Sequence, residues 1–323
     1  MKRSIIVAVI VLPVFFAGCA FFSSPKESVS QPEKEARTLI RKAAELTRRN
    51  NYTMARYFYQ DALNRFSSIN NLQGKARAIL GLLKADVLSG HHDRADSLLT
   101  QLAETTKYKD VLYGYYLEGK AFIAEQSGDG STLAAVFDEG GKRSVPVETR
   151  SILATYILFS PSMIGKPAAD SARVFLGSNL ENLLLQSQNG TLDNDETPAI
   201  AAYALGLEYF RQSRFDKAEQ YTASAQSTDQ LINNAKGIAD DSYLLGKVFF
   251  KTADFNKSAL QMNTAADIYS LIHDTTMADL SNASALIAEY KISRSAGLLK
   301  QLIELGARSE SNEVRALIRK YIP

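Results

Sequence analysis

Tryptophan is absent from this 323-residue chain, cysteine occurs once and histidine three times. A single thiol cannot form an internal disulfide, which excludes a disulfide-stapled scaffold. The histidines are too few for the usual zinc spacings: His91 and His92 are adjacent, so their side chains diverge, and His273 stands alone in a polar stretch. Charge of one sign is missing too. Lys and Arg number 37 against 35 Asp and Glu, which leaves no electrostatic footprint for nucleic acid. No apolar run reaches the roughly 20 residues a spanning helix needs; the longest, Ile5 to Phe16, has 12 and is broken by Pro13.

Constellations for catalysis are also lacking. DEGGKRS at 138–144 is no phosphate loop, because Val136 stands where a Gly is required and Arg143 follows Lys142 where Ser or Thr is required. DNDET at 193–197 has acidic spacing faintly like a calcium loop but lacks its central Gly and final Glu. There is no Gly-x-Ser-x-Gly element. The expectation is a protein that is not an enzyme and has no cofactor and no metal.

What is present begins at the N-terminus. Lys2 and Arg3 precede the apolar run, and small Ala17 and Gly18 follow it, the layout of a secretory signal peptide. Phe16-Ala17-Gly18-Cys19 resembles the bacterial lipobox, with Phe where that motif prefers Leu. The resemblance implies a diacylglyceryl group on Cys19, cleavage before it, and N-acylation, for instance with palmitate. Each buried methylene contributes about 0.8 kcal/mol, so two or three acyl chains anchor stably. Ala20, rather than Asp, favours the outer membrane with the protein facing the periplasm. Residues 1–18 are therefore read as signal peptide and 19–33, rich in Ser, Pro and charge, as a lipid-anchored tether. Loss of Lys2 and Arg3 with the leader leaves 35 charges of each sign.

From 34 to 323, Ala, Leu, Glu, Lys and Gln are frequent and Pro is sparse, which favours helix. Leu205-Gly206, Tyr209, Phe215, Ala218 and Ala225 recur 40 residues later as Leu245-Gly246, Phe249, Phe255, Ser258 and Ala265. Ala43, Tyr52, Ala55 and Ala62 repeat the frame near the start, and Ala95 follows Ala55 by 40. Small residues let two antiparallel helices approach, and aromatics fill the space between pairs, which bury their apolar faces only by stacking. The pattern is weak over 111–187, and breaks are expected at 127–131, 138–146 and 187–198. Residues 279–306 read as a degenerate copy and Val314 to Ile322 as a capping helix.

This pattern resembles the tetratricopeptide-repeat family, in a subclass with a 40-residue period. The resemblance implies an all-α, right-handed solenoid of about six to seven helix pairs, irregular over 111–187. It also implies that the first helix of each pair lines the inner face. In that frame the inward positions are Tyr203, Leu207, Phe210 and Arg211, then Tyr243, Lys247, Phe250 and Lys251, each set on one helical stripe. Aromatic and basic side chains together suit an extended peptide, rings gripping its side chains and cations its carboxylates. The expected role is a scaffold binding protein or peptide partners in envelope assembly, secretion or peptidoglycan-enzyme control. The alternatives are a small-molecule or glycan-binding lipoprotein, which the lack of Trp disfavours, and an envelope hydrolase with a catalytic pair hidden in 111–187.

Overall fold

The computed structural model describes residues 30–322 apart from 108, 144 and 193. The expected signal peptide, Cys19 and the expected tether as far as residue 29 lie outside the described residues. Fifteen α-helices make up the regular structure described: α1 (Gln31–Arg48), α2 (Tyr52–Ser68), α3 (Leu72–Leu88), α4 (His92–Thr106), α5 (Asp110–Ser127), α6 (Gly130–Lys142), α7 (Val147–Phe159), α8 (Pro167–Gln188), α9 (Thr197–Arg211), α10 (Phe215–Leu231), α11 (Ala235–Lys251), α12 (Phe255–Leu271), α13 (Thr275–Ser293), α14 (Ala296–Arg308) and α15 (Asn312–Tyr321). A short 3-10 turn, Pro161–Met163, follows α7. No described helix is long and apolar enough to cross a membrane.

Helix α1 begins at Gln31, ahead of the tether end expected at residue 33. Ser30 caps α1 by accepting from the Glu33 backbone N–H, and Pro32 falls in the first turn, where its missing N–H costs nothing.

Seven of the nine three-residue connections are built alike. Asn50, Asn70 and Gly90 near the start, and Ser213, Asn233, Ala253 and His273 later, all adopt left-handed φ between 51° and 76°. Within each group they fall twenty residues apart. The next N–H then closes back on the helix just ended: Asn51 on Leu46, His91 on Asp86, Arg214 on Tyr209 and Asp254 on Phe249. At Asn51, Asn71, Asn234, Asp254 and Asp274 that same residue caps the following helix through its side chain. The repeat aromatics Phe215 and Phe255 are the first residues of α10 and α12, just after the turn.

Consecutive helices pack as pairs, from α1/α2 to α13/α14, and α15 lies against α13 and α14. The chain is thus an all-α helical-repeat solenoid of seven pairs and a terminal helix. Odd-numbered helices also touch their odd neighbours from α1 through α11, whereas even-numbered helices make no comparable contacts with one another. A stack joined along one layer and splayed along the other bends, and here the odd helices form its inner layer.

Small residues set the approach distances. A Cβ on Gly206 would lie 2.3 Å from the Thr222 Oγ1 and 3.2 Å from its backbone N, so α9 meets α10 nearly backbone to backbone. Ala218, on the same crossing, is fully buried.

Residues 111–187 do not interrupt the stack. They fold as α5 to α8, and α6 runs through Gly140 and Gly141 to Lys142, so the break expected at 138 comes only after residue 142. The glycine pair serves packing rather than a turn: a Cβ at Gly140 would sit 3.0 Å from Leu153, and one at Gly141 would sit 2.9 Å from Arg150, both on α7. Gly119 on α5 similarly faces Leu83, Leu99 and Leu102. A continuous apolar cluster joins this region to the C-terminal repeats, from Leu117 through Leu176 and Leu205 to Val248.

Candidate binding site on the inner helices

Along α9, residues 201, 202, 204–206, 208 and 209 are buried, while Tyr203, Leu207, Phe210 and Arg211 keep partial exposure. On α11 the same alternation leaves Tyr243, Lys247 and Phe250 half-buried and Lys251 exposed. Ile152, Tyr156 and Phe159 continue the stripe on α7. Spacings of three and four place each set on one helical face, and the contacts between odd helices lay those faces side by side.

The structure brings most of the expected residues together. The Tyr203 ring lies 6.1 Å from Phe159. The Lys247 ammonium lies 5.1 Å from the centre of the Phe210 ring and 5.5 Å from that of Tyr243, a cation held between two π faces on adjacent helices. Burial, then Arg211 and Lys251, lower its pKa. Neither Lys247 nor Lys251 pairs with a carboxylate among the described residues. Burial raises the hydroxyl pKa values of Tyr203 and Tyr243; Asp240 and Asp241 add to the effect at Tyr203.

Two expected residues are committed elsewhere. Arg211 donates to the Leu158 and Phe159 carbonyls at the end of α7 and lies 3.7 Å from Glu208. It therefore satisfies carbonyls that a helix end leaves open. Phe250 packs edge-on against Phe255 at 5.3 Å and Tyr321 at 5.8 Å, so α15 covers much of its ring. The site that remains open is Tyr203, Phe210, Tyr243, Lys247 and Lys251. On α1, Ile40 is a core residue.

Two polar clusters escape sequence reasoning. Lys84 on α3 donates to Glu118 on α5 at 2.6 Å, and Tyr156 on α7 also bonds it. Burial alone would lower the Lys84 pKa; Glu118 and Tyr156 outweigh it and hold it above the usual lysine value. Burial, offset in part by Lys84, pushes Tyr156 up to about 12. Residues 34 and 72 positions apart in sequence leave no local spacing signal for this network. The other cluster lies beneath Tyr203. Asp229 on α10 and Asp241 on α11 are both buried and interact through their carboxyl groups. Burial, then Asp229, pushes Asp241 up to about 9, and burial pushes Asp229 up to about 6. Gly237 leaves the room they need, since a Cβ there would lie 2.0 Å from Asp229 Oδ2. The neighbouring Asp240 pairs instead with Lys236 at 2.8 Å and accepts from the Tyr269 hydroxyl.

Among the described residues no group of three or more His, Cys, Asp or Glu is arranged to hold a metal ion. His91 Nδ1 lies 2.9 Å from Ser89 Oγ within its own turn, and His273 occupies a left-handed turn position. Compared with known proteins, the chain matches no protein-family model and no curated protein.

Proposed function

We propose that this protein is a non-enzymatic adaptor that holds an extended segment of a partner protein along the inner face of α9 and α11. The observation that carries the reading is Lys247, half-buried between Phe210 and Tyr243 and beside Lys251, with no carboxylate partner among the described residues. A buried cation without a counter-charge is costly, and a carboxylate from a bound peptide would relieve that cost. Rings that exclude water would supply most of the affinity. The recurring Leu-Gly, aromatic and Ala positions support assignment to the tetratricopeptide-like solenoids. The lipobox-like Phe16 to Cys19 supports a lipid anchor at Cys19 on the periplasmic side of the outer membrane. Partners in envelope assembly, secretion or peptidoglycan-enzyme control fit that location.

The test places a photo-crosslinking residue at Leu207, within the stripe, and compares capture from isolated envelopes. Tyr203→Ala with Tyr243→Ala should abolish the crosslinked band while far-UV circular dichroism stays unchanged. Lys247→Glu with Lys251→Glu should weaken capture more at low salt than at high salt. Undiminished capture by both doubles would move the site away from this face.

A further inference from the structure

The polar segment 189–196, between α8 and α9, is eight residues long where nine other connections have three. It is fastened rather than loose. The Asn194 backbone N–H donates to Glu148 Oε1 on α7 at 2.7 Å, and the Thr197 hydroxyl donates to the same oxygen at 3.3 Å. Asn194 Oδ1 in turn accepts from the Glu196 N–H at 3.0 Å. These bonds fix Glu196 at the N-cap of α9 with its carboxylate pointing away from its own helix.

That carboxylate accepts from Arg48, the last residue of α1, 148 positions earlier. Arg48 is itself oriented by Glu45, 2.8 Å from its Nη2. Among the described residues, helices α1 and α9 share no extensive packed interface, and this ion pair links the first helix pair to the fifth. The bend that brings them together is visible midway: Lys84 on α3 reaches Tyr156 on α7 across the intervening α5.

We propose that Arg48 and Glu196 form an electrostatic clasp that closes the inner helices α1, α3, α5, α7 and α9 into a ring, and that its opening widens the inner face. Both side chains keep about a third of their surface in solvent, 35% for Arg48 and 27% for Glu196. An exposed pair of this kind biases an equilibrium by no more than about fivefold. The clasp is therefore poised, easily opened by salt or by a competing charge. The proposal stands on the contact itself; only its consequence for partner entry rests on the adaptor reading.

Distances between spin labels at Arg41→Cys and Asp195→Cys, in the full chain carrying Cys19→Ser, test the clasp without any partner. Both label sites are exposed. At low salt the parent should give a predominantly short distance. Arg48→Glu should add a longer, broader population, and Arg48→Glu with Glu196→Arg should restore the short one. Raising salt should open the parent and, by screening the like-charge repulsion in Arg48→Glu, should shrink the difference between the two distributions. An Arg48→Glu distribution identical to the parent, or a charge swap that fails to restore closure, would overturn the clasp. Either result would leave the capture experiment at Leu207 unaffected, so the two readings fail separately.

Discussion

The inner face treats charge in two ways. Over α3, α5 and α7 the buried cation is answered: Lys84 has Glu118 and Tyr156. Nearby Asp86, fully buried, is ion-paired with Arg56 and, at 3.4 Å, with Arg94. Over α9 and α11, Lys247 has aromatic rings for neighbours, and neither it nor Lys251 pairs with a carboxylate among the described residues. The difference separates polar groups that hold repeats together from polar groups left open to a ligand. The first kind stabilises the fold and the second burdens it.

The largest effect should come from unpairing the first kind. Glu118→Ala strands Lys84 and should lower stability to urea by about 3 kcal/mol, the low end for a broken buried pair, because Lys84 keeps part of its side chain in solvent. Lys247→Met should cost nothing, or raise stability by up to about 1 kcal/mol, by removing a cation that burial already disfavours. Equal losses in the two variants would erase the distinction.

Next in size is a pH effect confined to the C-terminal half. The carboxyl pair Asp229 and Asp241 has folded pKa values raised above the ordinary carboxylate range. Its stabilising contribution is therefore complete below the unfolded value, near pH 4, and is lost as pH rises through 6 and towards 9. Thermal unfolding should show stability falling from pH 5 to pH 8 by at least about 1.4 kcal/mol, the equivalent of one pKa unit. Asp241→Asn should flatten that slope while leaving the Lys84 network intact.

The smallest effect lies in the turns. The N-terminal group uses Asn50, Asn70 and Gly90 at its left-handed positions; the C-terminal group includes Ser213, Ala253 and His273. A residue with a Cβ is disfavoured there and glycine is not. Ala253→Gly should stabilise by about 0.5 kcal/mol, less than the steric penalty it relieves, because glycine also gains freedom when unfolded. Gly90→Ala should destabilise by about 1 kcal/mol, since nothing but the backbone conformation opposes it. Calorimetry on the two variants checks the opposite signs.

How far the molecule could be read beforehand follows the same division. Gly206, Ala218, Ala55 and Ala265 announce helix crossings because close approach needs small residues at fixed spacing, and three of these four are fully buried alanines. The stripe of Tyr203, Phe210, Tyr243 and Lys247 was legible because helical period alone fixes which residues share a face. Arg211 and Phe250 belong to that face by period, yet the end of α7 and Tyr321 of α15 claim them, and no repeat frame anticipates a neighbour from outside the frame. Gly140-Gly141 reads as a turn because paired glycines usually punctuate; the approach of α7 gives them another purpose. Lys84, Glu118 and Tyr156 meet only because the stack bends, and curvature has no local signature.

Packing between neighbours alone also has a consequence in time. Each pair finds its contacts within a few dozen residues of itself, so mean sequence separation between contacts is low and folding need not wait for the whole chain. As synthesis proceeds from the N-terminus, α1 and α2 can settle on each other long before α9 exists, and each later pair adds to a finished edge. The bond between Arg48 and Glu196 is different in kind. Its first half is made early and must wait until some 148 further residues have been built, so ring closure comes late, after the repeats between have taken their final curvature.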